Sequence, residues 1–221
     1  MNQAAVKRMP VLGVVAVAMA LLLAMTFGAG SAFADGNEIN VDNIKAKSTQ
    51  KMLYFPGKDA AASNVYYVFS GSDKAITKVK SSNKKVVAVS QSGEFKAMFQ
   101  MQLKKAGKAK VTFKYKGKSY TMNVVVAKYT NPVKTYKIGS TNYASKFKKT
   151  PFYFAGGKVL KGKVTVKAAT GWKFKHFEFY KNGKLKTAKT RKLTGSEGQV
   201  TAVMQHKKSG ALAYVSVFGG M

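Results

Sequence analysis

The apolar residues of this chain recur at every second position, and that period decides what class of structure it can form. In Lys110-Val111-Thr112-Phe113-Lys114-Tyr115-Lys116, the residues Val111, Phe113 and Tyr115 fall on one side and the lysines on the other, the pattern of a half-buried strand. Tyr120, Met122, Val124 and Val126 repeat it after Lys116-Gly117-Lys118, where glycine supplies the positive φ of a tight reversal. These two segments are expected to pair antiparallel. The same reading puts strands near Val65–Ser70, Val86–Ser90, Phe95–Leu103, Lys163–Ala168, Lys175–Tyr180, Gln199–His206 and Leu212–Phe218, with Asn182-Gly183 the strongest turn signal. No stretch after residue 34 combines a 3.6-residue apolar period with helix caps, so the chain reads as all-β.

Residues 1–34 read as an export signal: Lys7 and Arg8 precede an uncharged run, Val11 to Ala34, that ends in Ala32-Phe33-Ala34. A run of this length would also span a bilayer, but Gly28, Gly30, Ser31 and the Ala-Phe-Ala ending favour cleavage before Asp35 over retention as an anchor. Either fate places the remainder outside the membrane, secreted or associated with the cell surface. The 221 residues carry 39 Lys and Arg against 8 Asp and Glu, a net charge of +31, and without Lys7 and Arg8 the exported part keeps +29. Solubility alone asks for a magnitude of only about 2–8 in a small domain. The absence of cysteine excludes a disulfide framework, thiolate metal sites and a lipid-modified N-terminal Cys.

Two segments recur in the same order. Met101-Gln102-Leu103-Lys104-Lys105-Ala106-Gly107 returns 103 residues later as Met204-Gln205-His206-Lys207-Lys208-Ser209-Gly210, with five of seven residues identical. Leu53-Tyr54-Phe55-Pro56-Gly57 is echoed 99 residues on by Phe152-Tyr153-Phe154-Ala155-Gly156, a register that also sets Val65 on Val164. We read two tandem domains of one fold, residues 35–127 and 128–221, divided near Lys128-Tyr129-Thr130-Asn131-Pro132, where Pro132 ends the run Val124-Val125-Val126.

Ser81-Ser82-Asn83 with Val86 and Val89, then Gly93, then Gly107 opening Lys110–Lys116, then Val124–Val126, resembles the second half of a bacterial immunoglobulin-like domain of group 2. The resemblance covers residues 76–127; the second domain keeps only the Lys-Lys-x-Gly turn and its flanking strands, and its membership follows from the repeat. The tract Phe95–Leu103 is longer and more aromatic than the family's segment there. The resemblance implies two tandem immunoglobulin-like β-sandwiches of the kind that serve as spacers or binding modules in secreted and surface proteins of bacteria. In the 103-residue register the second domain reaches the equivalent of Lys110–Lys116 at Tyr214–Gly219 and stops at Met221, so its last strand is expected to be missing. An open sheet edge would invite strand addition from another copy, unless the register shifts or a segment such as Val133–Ile138 fills it.

The inventory for catalysis is thin. Only His176 and His206 are present, and no zinc, nucleophile-elbow or phosphate-loop motif occurs. Eight scattered carboxylates suit neither a calcium cage nor, with Glu94 and Glu197 coinciding in the repeat, a shared glycosidase pair. No cofactor and no enzymatic activity are expected. His206 sits where the first copy has Leu103 and reads as an ordinary strand side chain; Trp172 reads as core, and Phe177 and Phe179 share a face opposite Glu178 and Tyr180.

What remains is charge. The densest basic stretch is Lys181, Lys184, Lys186, Lys189, Arg191 and Lys192, with no acid among residues 181–192, and it is the candidate site for an anionic cell-wall or extracellular polysaccharide or other polyanion. Lysine outnumbers arginine 37 to 2, which argues against sequence-specific nucleic-acid recognition, where the arginine fork does the reading. The expectation is a non-enzymatic binding or adhesion module that captures polyanions electrostatically. The other classes it leaves open are an adhesin for a carbohydrate or host ligand, carried by exposed aromatics, and a structural subunit that self-associates through the edge of the second domain.

Overall fold

The computed structural model describes residues 38–57, 62–91, 93, 95–181 and 183–220. The export signal, Asp35, Asp59, Glu94 and Asn182 lie outside the described residues, as does the side chain of Lys181. Where the sequence alternates, the backbone is extended and the alternation becomes two faces. The segment Gly107–Tyr115 buries Ala109, Val111, Phe113 and Tyr115 and exposes Lys108, Lys110 and Lys114.

The first half contains β1 (Glu38–Asn40), β2 (Lys47–Tyr54), β3 (Val65–Phe69), β4 (Ile76–Ser81), β5 (Val87–Ser90), β6 (Met98–Leu103), β7 (Gly107–Tyr115) and β8 (Lys118–Lys128). They form two sheets, in the orders β1-β3-β6-β5 and β2-β8-β7-β4. All neighbours in the second sheet are antiparallel except β2, which runs parallel to β8 from Lys47 opposite Thr121 to Tyr54 opposite Lys128. Val68, Phe99, Met101, Val111, Phe113 and Met122 fill the space between the sheets. β6 starts at Met98, later than the alternation suggests, and leaves Phe95 64% exposed.

The second half contains β9 (Val133–Ile138), β10 (Thr141–Asn142), β11 (Phe152–Val159), β12 (Lys161–Ala168), β13 (Trp172–Lys181), β14 (Lys184–Ala188), β15 (Arg191–Thr194), β16 (Gln199–His206) and β17 (Leu212–Gly220). The sheets are β10-β9-β12-β15 and β11-β17-β16-β13-β14. The protein is therefore all-β, two immunoglobulin-like sandwiches in tandem. Tyr136, fully buried, donates its hydroxyl to the carbonyls of Val200 (2.9 Å) and Val215 (3.3 Å) and so ties β9 to the opposite sheet. Burial pushes that phenol's pKa well above its ordinary value.

One sheet of each half corresponds strand for strand, β2-β8-β7-β4 with β11-β17-β16-β13, to which the second half adds β14 at the edge. β11 runs parallel to β17 as β2 does to β8, and β16 and β17 form a hairpin as β7 and β8 do. This overturns the 103-residue register. That register sets β6 on β16, yet β6 lies in the other sheet, between β3 and β5, and the chain crosses sheets between β6 and β7. The two Lys-Lys-x-Gly segments serve different turns that both need glycine: φ is +153° at Gly107 and +73° at Gly210. The expected gap at the end of the second domain is consequently absent. β17 is its last strand, paired with β16 on one side and β11 on the other, so no edge is open there.

Leu53, Phe55, Ala127 and Tyr129 are packed into the core of the second sandwich. Phe55 lies 4.6 Å from Tyr129 between ring centroids, and Tyr129 meets the edge of Trp172 at 6.4 Å. Trp172 is 2% exposed and donates its indole N–H to Thr130 Oγ1 at 3.0 Å.

Candidate functional site

The basic stretch at residues 181–192 is divided by the fold. Lys181 and Lys184 pair at the β13–β14 turn and Lys186 pairs with Phe179, while Arg191 and Lys192 belong to β15 in the opposite sheet. Lys184, Lys186 and Lys192 are exposed. Lys189 donates to the carbonyl of Lys175, at the irregularity between Phe174 and His176. Arg191 is engaged internally: its guanidinium lies 4.0 Å over the Phe179 ring and donates to Glu197 at 3.2 Å. The stretch thus supplies Lys184 and Lys186 on one sheet, Lys192 opposite Lys163 on the outer face of the other, and an arginine that braces the sandwich.

The lysines gather elsewhere. In β7, Lys108, Lys110 and Lys114 point away from the core, and their cross-strand partners Val125, Asn123 and Ser119 in β8 share that outer face. Thr121 in β8 stands opposite both Thr112 in β7 and Lys47 in β2, and Lys51 pairs with Val125. On the far side, Lys80 in β4 pairs with Thr112. Six exposed lysines, Lys47, Lys51, Lys80, Lys108, Lys110 and Lys114, therefore occupy one face of the β2-β8-β7-β4 sheet, interspersed with threonine, serine and asparagine and no carboxylate. The ion pairs among the described residues are Lys116–Asp42, His176–Glu178 and Arg191–Glu197, so the charges of this face are not neutralised within the fold. Density along the chain missed it. The outward alternation of lysines in β7 was the signal that could have found it.

The equivalent sheet of the second sandwich presents a different outer face. Phe152 and Phe154 of β11 stand beside Ser216 and Phe218 of β17, with Phe154 and Phe218 stacked at 4.8 Å and 21°. Across β16 and β13 follow Gln199, Thr201, Val203, His176, Glu178 and Tyr180, and Leu185 of β14 pairs with Tyr180. Tyr180 is 47% exposed, Leu185 52% and Phe154 64%. None of these positions is a lysine.

The described carboxylates with partners act locally. Asp42 accepts from the Gly71 N–H (2.8 Å), the Tyr115 hydroxyl (2.9 Å) and Lys116 Nζ (3.0 Å), and Lys116 foremost, with the Gly71 and Tyr115 donors, holds its pKa below the ordinary value. Burial works to raise Glu197, but N–H and hydroxyl donors of Thr194 and the N–H of Gly195 outweigh it, and the net shift is downward. His176 Nε2 meets Glu178 Oε1 at 3.1 Å. His206 Nδ1 meets the Ser209 hydroxyl at 3.0 Å inside the β16–β17 turn, and its ring meets Trp172 edge-on. No three His, Asp or Glu side chains among the described residues group as a metal site would require. A cleft of about 210 Å³ opens between β12 and β13, lined by Val164, Val166, Phe174 and Phe177 with Lys163, Thr165, Lys189 and Thr190; its lining offers neither a carboxylate nor an imidazole.

No protein-family model matches the chain, and no curated protein matches its sequence. Among solved structures it is similar to domains 5-6 of the S-layer protein SbsC, at 12% identity over 71% of this chain and 89% of that one, with a TM-score of 0.25. It is also similar to the tandem Ig repeats of Dlar (11% identity, 78% and 93% covered, TM-score 0.30). A third likeness is to a tri-modular GH5 endo-β-1,4-glucanase from Bacillus licheniformis (13% identity, TM-score 0.25), where the match covers 78% of this chain and 37% of the glucanase. At such identities and scores nothing about this chain's ligand follows from them.

Proposed function

We propose that the chain is an exported, non-enzymatic binding module that associates with polyanionic cell-envelope or extracellular polymers through the lysine face of its first sandwich. The observation that carries this reading is the convergence of six unneutralised lysines on one face of the β2-β8-β7-β4 sheet. Successive outward residues on a strand stand about 7 Å apart, inside the Debye length of about 8 Å at physiological ionic strength. The lysines therefore repel one another until an anionic polymer lies across them, and binding both relieves that repulsion and releases condensed counterions. A lysine ammonium acts as a compact point charge without the planar fork of arginine, so the face suits a repeating anion and not a particular sequence or sugar. The export signal read at residues 1–34 supports a position at the cell surface or beyond it.

The test is co-sedimentation of the exported chain with bacterial cell walls, before and after their anionic polymers are stripped. Pelleting is expected with intact walls only, and is expected to be lost when Lys108, Lys110 and Lys114 are replaced by Glu. Undiminished pelleting of that variant, or full pelleting on stripped walls, would show the reading to be wrong.

A further inference from the structure

Five of the seven large apolar side chains most exposed among the described residues, Phe154, Tyr180, Leu185, Leu212 and Tyr214, stand on the outer face of the β11-β17-β16-β13-β14 sheet. We propose that this face is the contact through which two copies of the chain pack sheet against sheet, as a symmetric dimer. Three features select a second copy as the occupant.

The first is charge. The full chain carries +31, and copies that approach through lysine-bearing surfaces repel. On this face the cross-strand sets Leu185–Tyr180, Gln199–Phe218–Phe154 and Thr201–Ser216–Phe152 contain no basic residue. Lys173, opposite Gln205, stands only at the far end. Two copies meeting here avoid the repulsion that an approach through a lysine-bearing face incurs.

The second is ring geometry. Phe154 and Phe218 lie on adjacent strands and stack on each other at 4.8 Å, the spacing of neighbouring strands. Rings stacked at strand spacing stand up from the sheet and offer edges to the outside. A neutral sugar ring wants a flat aromatic face, whereas upright side chains interdigitate with a second sheet as the inner faces of a sandwich do.

The third is area. Five strands about 4.8 Å apart and three cross-strand rows about 7 Å deep give a footprint of roughly 500 Å² per copy, but Thr201, Val203 and Ser216 at its centre are already closed to solvent, so pairing buries less than about 1,000 Å² in total. That is the size of a weak, reversible contact. The inference stands apart from the polyanion reading. Where both hold, pairing through the second sandwiches presents two lysine faces to one polymer and raises avidity without new contacts.

The experiment is sedimentation equilibrium of residues 35–221, which contain every described strand. A monomer–dimer equilibrium is expected that tightens as salt rises from about 50 to about 500 mM, because screening removes inter-copy repulsion. This is opposite in sign to polyanion binding, so failure of the two readings is distinguishable. Phe154→Lys with Tyr214→Lys is expected to weaken the dimer at least about tenfold with the circular dichroism spectrum unchanged. Leu185→Lys, on the edge strand β14, provides an independent check if the double variant misfolds. Three results would overturn the proposal: a chain that stays monomeric at high salt and high concentration, a dimer indifferent to these substitutions, or a monomer whose binding to an insoluble neutral β-glucan they abolish, which would assign the face to sugar.

Discussion

The lysine face makes a quantitative demand on salt dependence. Each lysine that meets a phosphate of duplex DNA, a polyanion of known charge density, steepens the slope of log K against log salt by about 0.9. The six lysines of the β2-β8-β7-β4 face then set a slope near −5, and a fourfold rise in salt weakens binding by about three decades. Replacing Lys108, Lys110 and Lys114 by Ala removes half of the face, and the slope should fall to about −2.7, with a loss of under two decades over the same range. Fluorescence anisotropy of a short labelled duplex, titrated at four or more salt concentrations, reads both slopes directly. The matched control replaces Lys184, Lys186 and Lys192, which are equally exposed but split between two sheets; its slope should stay near that of the parent. If the control flattens the slope and the β7 variant does not, the polymer lies on the β14 side and the reasoning from sheet geometry is refuted.

Three further outcomes follow from the interior. Tyr136→Phe removes the hydroxyl that bridges to Val200 and Val215 and leaves those carbonyls buried without it, so urea unfolding should show a loss of about 1–3 kcal/mol. Gly107→Ala would place a methyl 2.7 Å from Cγ2 of Val86, a side chain 3% exposed, at φ +153°; a clear drop in thermal midpoint is expected, because a packed β-branched neighbour has little room to yield. Asp42 and Glu197 are both held below their ordinary values of 3.8 and 4.5. The unfolded chain therefore binds more protons in that range, the stability they contribute is full above those ordinary values, and it is lost as pH falls through the folded-state values. Urea midpoints measured from neutral pH downward should decline in that window, and less steeply for Asp42→Asn; an unchanged decline in that variant would remove Asp42 as a cause.

The elements legible in the sequence are those with one wet and one dry face. β7 alternates along its whole length and β8 over most of its own, because one side meets the core and the other meets solvent or small polar neighbours. β2 is a different case. Lys47-Ser48-Thr49-Gln50 carries no apolar signal, since this edge strand buries only Met52 and Leu53 near its end, and its place is fixed by parallel pairing with a strand some 70 residues away. No local period can encode that. β11 hides for the opposite reason, for it exposes Phe154 outward and buries Ala155 inward, an inversion of the usual rule that a reader of apolarity takes the wrong way round. The echo at Met101 and Met204 misled because a basic turn ending in glycine meets a local steric need, and the same need arises at a sheet crossing and at a hairpin.

The proposed binding surface was obscured for a related reason. Charge density along the chain counts neighbours in sequence, whereas a sheet brings together every second residue of several strands. Lys181–Lys192 is dense in one dimension and divided in three; Lys47, Lys80 and Lys110 are remote in sequence and share a face. The corresponding strands β7 and β16 sharpen the point. β7 turns Lys108, Lys110 and Lys114 outward, and β16 in the same topological place turns out Gln199, Thr201, Val203 and Gln205. If the lysines served only to keep the protein soluble, they would be needed most on the sheet that exposes Phe154, Tyr180 and Leu185, since exposed aromatics are what charge is placed to protect. On that sheet's outer face Lys173 stands at one end, whereas six lysines crowd the outer face that holds threonine and asparagine. A solubilising coat predicts the reverse distribution. Two faces of different chemistry on two sheets of the same topology are what a module with two different contacts requires.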